Sequence, residues 1–304
     1  MNKKIYLHWF RDKKIGENFG DEITAYIIQR LSDEKIEFVP IPASPSRMLV
    51  RGFRELIKGK LSISNYCQVI KSSIQKHYII GAGSILGWSS APNAIVWGSG
   101  IIKRKDIVQP STFLAVRGKY TIERLKELGL KPPTVIGDPA ILVPLVYNKK
   151  VPKTHRIGII GHYTHNEYLE SYKKISGVLV INLLDKIENV IDQINSCEKT
   201  ISTSLHGVIV SHVYGVPSLW YLLENKPLGG DDVKFLDYFS SVDITEYSPL
   251  VLDKIDQFDM EKIESRFIEY AEVTQPKIDI SVIQKQLIEV APFEVMDKFK
   301  NKKF

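Results

Sequence analysis

The sequence predicts an α/β protein of two Rossmann-like domains, each built on a parallel sheet and facing the other across a cleft. Three observations predict it. Short buried strands alternate with helical patterns along most of the 304 residues. Glycines stand at strand ends, where the backbone must turn sharply into a loop or helix. The alternation breaks once, at the polar stretch NKKVPKT (148–154), and then resumes. That break separates an N-terminal α/β unit (1–148) from a second α/β unit (152–275), which a helical tail (276–304) follows.

Taken in order, IYLHWF (5–10) reads as a buried first strand. EITAYIIQRLS (22–32) follows as a helix whose apolar face carries Ile23, Tyr26, Ile27 and Leu31. FVPIP (38–42) is extended, and RMLVRGFRELIKGK (47–60) is a basic helix or loop. HYIIGAGSIL, AIVWGSGI and FLAVRG each read as strand then glycine turn. TIERLKELGL (121–130) is a short helix with Thr121 as its expected N-cap and Gly129 as its stop. TVIGDPAILVP closes the first unit with one more strand and turn. In the second unit RIGIIGHY, GVLVINLL, KTISTS and VPSLWYLL are four strands, with helices at IENVIDQINSC and LHGVIVSHVYG. EKIESRFIEYAEV and SVIQKQLIEVAPFEV give the tail region its helices.

Composition narrows the class. Apolar residues make up 44% and charged residues 25%, enough for a large core without a metal or disulfide staple. Cys67 and Cys197 lack metal-ligand spacing and suit a reducing compartment. The runs 78–102 and 200–223 lack Asp, Glu, Lys and Arg, but glycines, prolines, serines and His206 interrupt them, which fits interior strand–turn–helix units better than lipid. A net charge of +6 favours anionic partners, yet the lysines form no nucleic-acid motif. The expected protein is soluble, with the lysine-rich end a solvated tail.

Several segments place reactive side chains where such folds bind ligands. Asn18-Phe19-Gly20-Asp21 sits between a strand and a helix; Gly20 allows close backbone approach, and Asp21 either serves a sugar hydroxyl or caps the helix. Arg117 follows a strand directly and is placed for a two-point grip on a carboxylate or phosphate, with a salt bridge as the competing use. Asp138 in GDPA is an Asx-turn residue or a support, with substrate binding or a contact to the Arg117 side chain as its other uses. Ser202, Thr203 and Ser204 end a strand, and Leu205 and His206 open the next helix. That is an anion site with a proton-transfer group, or a capped, inert histidine. Lys234 in GGDDVKFLDYF supplies another positive charge, held by Asp231, Asp232 or Asp237.

The pieces NFGDEIT (18–24), GAGSIL (81–86), WGSGI (97–101), AVRGKYT (115–121), GDPA (137–140), STSLHG (202–207) and YGVPSLW (214–220), in this order, resemble the polysaccharide pyruvyltransferase family. The resemblance implies a GT-B-like fold and a transferase that uses phosphoenolpyruvate as donor and a saccharide as acceptor, making a pyruvate ketal in polysaccharide assembly. No cofactor is expected, no ligand cluster in the sequence demands a metal, and no motif points to nucleic acid. The expected location is cytoplasmic, with peripheral attachment at the inner membrane face and a lipid-linked acceptor left open. The resemblance assigns Arg117 and His206 to the donor, with a backbone contact at Leu205. Many members carry arginine before the Leu-His pair where this chain has Ser204, so Lys234, Arg104 or Lys119 is the expected substitute. Two rivals remain: a nucleotide-sugar glycosyltransferase, for which only Glu224 is suitably placed, and an inactive glycan-binding relative.

Overall fold

The computed structural model describes residues 4–11, 16, 18–40, 62, 77–252 and 254–300. The segment 47–60 and Cys67 lie outside the described residues. Two parallel sheets organise the chain. The first contains β1 (Lys4–His8), β2 (Lys35–Phe38), β3 (Tyr78–Ile80), β4 (Ala94–Trp97), β5 (Thr112–Val116) and β6 (Val135–Ile136), in the order β2-β1-β3-β4-β5-β6. The second contains β7 (His155–Gly161), β8 (Val178–Asn182), β9 (Cys197–Ser202), β10 (Ser218–Leu222) and β11 (Leu250–Val251), in the order β11-β10-β9-β7-β8. Strands β7, β9 and β10 are largely buried, as parallel strands covered on both faces must be. The short edge strand β11 carries too little apolar pattern to be read from sequence.

Both sheets reverse their strand order beside their first strand. β1 lies between β2 and β3, and β7 lies between β8 and β9. Successive connections therefore leave to opposite faces there, which opens a crevice at the strand carboxyl ends. The longer helices are α1 (Phe19–Ser32), α2 (Lys119–Glu127), α3 (Ile187–Asn195), α4 (Leu205–Val213), α5 (Val233–Ser241), α6 (Met260–Glu269) and α7 (Ile280–Glu289).

Helix α1 buries Ile23, Ile27, Ile28 and Leu31, a stripe at helical spacing, while Tyr26 is half-buried. Its N-cap is Asn18, not Asp21, which lies in the first turn. Helix α2 begins two residues before the expected cap: Gly118 occupies the N-cap and Thr121 is inside the helix. The Thr121 hydroxyl is engaged by Asp237 Oδ2 at 2.6 Å, a partner from the far end of the chain. Gly129 does sit past the helix end, at φ 69°, in the left-handed region where glycine carries no Cβ penalty.

One apolar cluster runs through both sheets, from Leu7 and Ile27 to Ile159, Val208 and Leu219. The carboxyl-end elements of the two sheets touch directly. Phe19 N–H donates to Leu183 O beyond β8, and a Cβ on Gly20 would stand 2.4 Å from His206 Nδ1. Helix α7 returns to the first sheet, where Gln284 Nε2 donates to Ile141 O and Trp97 Nε1 donates to Leu287 O, both at 2.9 Å. Among the described residues no helix is long and apolar enough to cross a membrane.

The tightest approach between the halves is at Gly118, where a Cβ would stand 1.8 Å from Asp237 O. Its φ of −167° is ordinary extended backbone, so space alone demands glycine. Gly118→Ala should therefore separate α5 from α2 and cost about 1–3 kcal/mol. A lowered urea midpoint with unchanged slope is the expected result.

Candidate active site

The loops after β1, β3, β7 and β9, the strands flanking each order reversal, converge on one region. From the first sheet comes Asn18, whose Nδ2 donates to Asp21 Oδ2 at 2.7 Å. Asn18 Oδ1 is buried without a hydrogen-bond partner among the described residues. Burial pushes the Asp21 carboxyl up to about 6, Glu22 adds to the rise, and the Asn18 hydrogen bond opposes it. A carboxylate with that value is a competent base near neutral pH.

The second sheet brings the Ser202–His206 segment. The sequence reading gave all three hydroxyls to a bound anion, and the structure corrects two of them. Ser202 Oγ donates to Ser204 O at 2.8 Å and accepts from Ser204 N. It also packs where a Cβ on Gly207 would lie. Thr203 Oγ1 accepts from His162 N and pairs with His165 Nδ1, both at 2.9 Å. The other nitrogen of His165 faces Lys226 O, a pure acceptor, at 3.0 Å, so Nε2 carries the proton and Nδ1 accepts from Thr203. These two hydroxyls hold the loop in shape. Ser204 is the N-cap of α4, and its side chain makes no capping bond. Leu205 is buried in the first turn, where backbone N–H groups lack helical partners.

His206 is the second residue of α4 and is only 8% exposed. Its Nε2 lies 3.7 Å from Asp138 Oδ2. Both atoms are buried and neither has a hydrogen-bond partner among the described residues. Asp138 Oδ1 is occupied, accepting from Ala140 N at 2.9 Å as the cap of the turn Pro139–Leu142. One oxygen therefore does the expected turn-holding work and the other faces the imidazole. Burial lowers the His206 pKa, helped by the charges of Arg117 and Lys234 and opposed by Asp138. Burial raises that of Asp138, against the pull of His206, the Ala140 N–H and Arg117. Since Nε2 is sealed, the remaining exposure of the ring leaves Nδ1, beside Gly20, as the nitrogen for a substrate.

Arg117 does not offer the open fork expected of it. It is fully buried, with Nε on Asp237 Oδ2 at 3.1 Å, Nη1 on Ser84 Oγ at 2.5 Å and Nη2 on Ile101 O at 2.7 Å. Asp237, on α5, is also fully buried and accepts from Thr121 N and Thr121 Oγ1. The salt bridge weighed against the substrate grip is what forms, and it joins the two sheets. The partner is Asp237 and not Asp138. Arg117 stays close enough to act on His206, Asp138 and Lys234 through its field.

Lys234, on the first turn of α5, is the cation that remains open. Among the described residues no hydrogen bond or ion pair holds its Nζ, which lies 5.3 Å from the Phe235 ring centre. Burial and Arg117 bring its pKa down to about 8, with Asp232 opposing. Of the other expected holders, Asp231 instead accepts from Arg104 N at 2.8 Å. The alternative cations are committed or remote: the Arg104 guanidinium stacks on Tyr120 at 4.4 Å, and Lys119 is exposed.

Sequence reasoning missed His162. It was read as the end of the strand RIGIIGHY, yet its side chain is half-buried beside the charge of Lys234. Histidine directly after a glycine-ended buried strand was the available signal. Among the described residues no group of three His, Cys, Asp or Glu side chains is placed to hold a metal ion.

The sequence profile of the polysaccharide pyruvyl transferase family matches residues 18–225, more than half of the chain. The chain belongs to that family. The match opens at Asn18 and takes in Arg117, Asp138, His162 and His206, while Lys234 and Asp237 follow it. The chain is also similar to the uncharacterized protein L143 of Acanthamoeba polyphaga mimivirus. The two are 25% identical over 312 residues, which cover 98% of this chain and 97% of that protein. Family membership makes this pyruvyl transferase homologue a transferase.

The Arg117–Asp237 pair yields a sharp test. Removing one member of a buried pair strands the other charge and costs about 3–5 kcal/mol, whereas an apolar replacement of both is close to neutral. Arg117→Met should unfold at much lower denaturant than the natural protein, and Arg117→Met/Asp237→Leu should recover most of that loss.

Proposed function

We propose that this transferase moves the enolpyruvyl unit of phosphoenolpyruvate onto two hydroxyls of one sugar in a cell-surface polysaccharide precursor, forming a pyruvate ketal and releasing phosphate. The observation that carries the reading is the His206–Asp138 pair. Its two facing atoms are unpaired and buried, and it lies within the field of the open Lys234 ammonium in a chain of this family. The units 1–148, 152–275 and 276–304 make a GT-B-like arrangement in this reading. The first unit receives the acceptor, the second holds the donor phosphate, and the tail packs back on the first.

The chemistry needs an acid, a base and fixed positive charge out of bulk water. His206 Nδ1 gives a proton to the methylene carbon of the donor, and a cation-like centre develops at the carbon bearing phosphate. Asp21 takes the proton of the first sugar hydroxyl as its oxygen bonds to that carbon. The carbon–oxygen bond to phosphate breaks, and the second hydroxyl closes the ketal. Of the two hydroxyl protons, one is balanced by the new methyl group and the other leaves with hydrogen phosphate.

Asp138 serves the acid step. Its raised pKa and the lowered pKa of His206 both favour a proton on the carboxyl before the donor arrives. A charge-assisted bond spans about 2.7–2.9 Å, so closing the 3.7 Å gap lets Asp138 supply Nε2 as Nδ1 gives up its proton. Lys234 meets the donor directly, and Arg117 adds fixed charge from behind without contact. No cofactor takes part. The net charge of +6 supports an acceptor carried on an anionic lipid at the inner face of the cell membrane, with the enzyme in the cytoplasm.

The test is phosphate release from phosphoenolpyruvate in the presence of candidate saccharides, with mass spectrometry of the acceptor. Release should accompany a pyruvate-ketal mass gain, and His206→Ala should reduce it about 100- to 10,000-fold with the fold intact. Consumption of a nucleotide sugar in place of phosphoenolpyruvate would replace this reading with the glycosyltransferase one.

Lys234 gives a pH signature. Its ammonium is charged below about 8 and neutral above. Donor affinity should therefore fall as pH rises through that value. Lys234→Arg, which stays charged, should bind donor without that alkaline limb; a limb that persists in the variant assigns it elsewhere.

A further inference from the structure

The loop geometry at the carboxyl ends of β7 and β9 bears on where the donor phosphate sits, an assignment that rests on the proposed use of phosphoenolpyruvate. β7 and β9 are adjacent and paired as far as Ile160 beside Ser202, and just beyond that pair Thr203 N–H donates to Ile160 O, so the loops that carry His162 and Ser204 leave from neighbouring strand ends. That neighbourhood is pinned on both sides. His162 N–H donates to Thr203 Oγ1, and His165 binds the same oxygen while reaching Lys226 O in the loop that leads to α5. Two strand ends and the approach to Lys234 are thereby tied together.

The His162 ring is oriented for donation. Its Nδ1 accepts from Thr164 N at 3.4 Å and lies 2.8 Å from Thr164 Oγ1. With Nδ1 accepting, the neutral ring carries its proton on Nε2. No partner takes that proton among the described residues. Burial and the Lys234 charge bring the ring down to about 4, with His165 adding to the drop, so it is neutral at working pH and its donor direction is fixed. Three polar groups in this corner are thus unspent: Nε2–H of His162, the Lys234 ammonium and the Ser204 hydroxyl. Neighbouring Ser202 and Thr203 have theirs committed.

We propose that His162 and Lys234 together form the phosphate-binding half of the donor site, with Ser204 as its third donor. Lys234 supplies the charge, and the His162 ring supplies a directed hydrogen bond that selects a tetrahedral dianion over a planar carboxylate. The carboxylate end of the donor then points toward His206 and Asn18.

The probe is inorganic phosphate, titrated into the full chain by calorimetry, because its binding depends on neither acceptor nor turnover. The natural protein should bind it, and His162→Ala and Lys234→Met should each weaken binding at least about 10-fold, the scale of one charge-assisted hydrogen bond. His162→Gln, whose amide nitrogen reaches roughly where Nε2 lies, should keep binding within about 3-fold. Thermal unfolding of each variant in the absence of phosphate separates a lost fold from a lost donor. Failure of the natural protein to bind phosphate overturns the assignment, and so does unchanged binding in folded His162→Ala or Lys234→Met. If phosphate binds with the expected dependence but phosphoenolpyruvate is never consumed, the functional reading fails and the subsite stands. Turnover of phosphoenolpyruvate with phosphate binding indifferent to both residues means the reverse.

Discussion

A guanidinium and a carboxylate with no exposure, drawn from the two halves of the chain, are tolerable in an interior only as partners. Arg117 directly follows β5 and Asp237 lies in the middle of α5, so their pairing sets how the second half of the chain sits on the first. Thr121 N and Oγ1 complete the carboxylate, and Ser84 with Ile101 O complete the guanidinium. Gly100 and Gly118 make room, since a Cβ at either would strike these groups. Because α5 is held by Asp237, its first turn is held too, and with it the position of Lys234. One buried pair thus joins the halves and aims the open cation.

The same strand-order reversal occurs in each sheet and explains why the remaining groups meet. A reversal forces neighbouring loops apart at the strand carboxyl ends. In the first sheet that place holds Asn18, Gly20 and Asp21; in the second it holds His162, Ser204 and His206. Bringing two such places together gives a region supplied with a base, an imidazole, a helix start and a lysine without any one loop being long. The closeness of Gly20 to His206 shows how little space separates them.

Most of this fold was legible. Nine of the eleven strands fall on runs read as strands, whereas β2 (Lys35–Phe38) overlaps the FVPIP run read as extended only at Phe38, and the helices over 187–195, 205–213, 260–269 and 280–289 follow their apolar periodicity. What periodicity does not encode is partnership across the chain. Arg117 was recognisable as a strand-end cation, but Asp237, 120 residues away, was read as a candidate holder of Lys234 and not as the partner of Arg117. Thr121 looked like a cap because a hydroxyl before a helical run usually is one; here the helix starts earlier and the hydroxyl answers to Asp237. Ser202 and Thr203 looked like ligand donors because local sequence shows a hydroxyl's presence and not its hydrogen-bond commitments. His162 was hidden by lying at the end of a convincing strand.

The arrangement of charge also accounts for the buried acid. An imidazolium at His206 in the free protein would face burial, Arg117 and Lys234 together, and only Asp138 favours it. A neutral ring beside a protonated carboxyl avoids that cost. An anion entering beside Lys234 and His162 cancels the two unfavourable charges, and the cationic ring then becomes the better state. In the proposed reaction, proton transfer to the ring would thus be coupled to the arrival of the molecule that needs the proton, which is what distinguishes a site that favours a transition state from one that merely binds. The coupling requires Arg117 to be present and untouchable. A free arginine would neutralise an anion by contact, whereas one committed to Asp237 biases the field and, in the proposed site, leaves the direct contacts to Lys234 and His162.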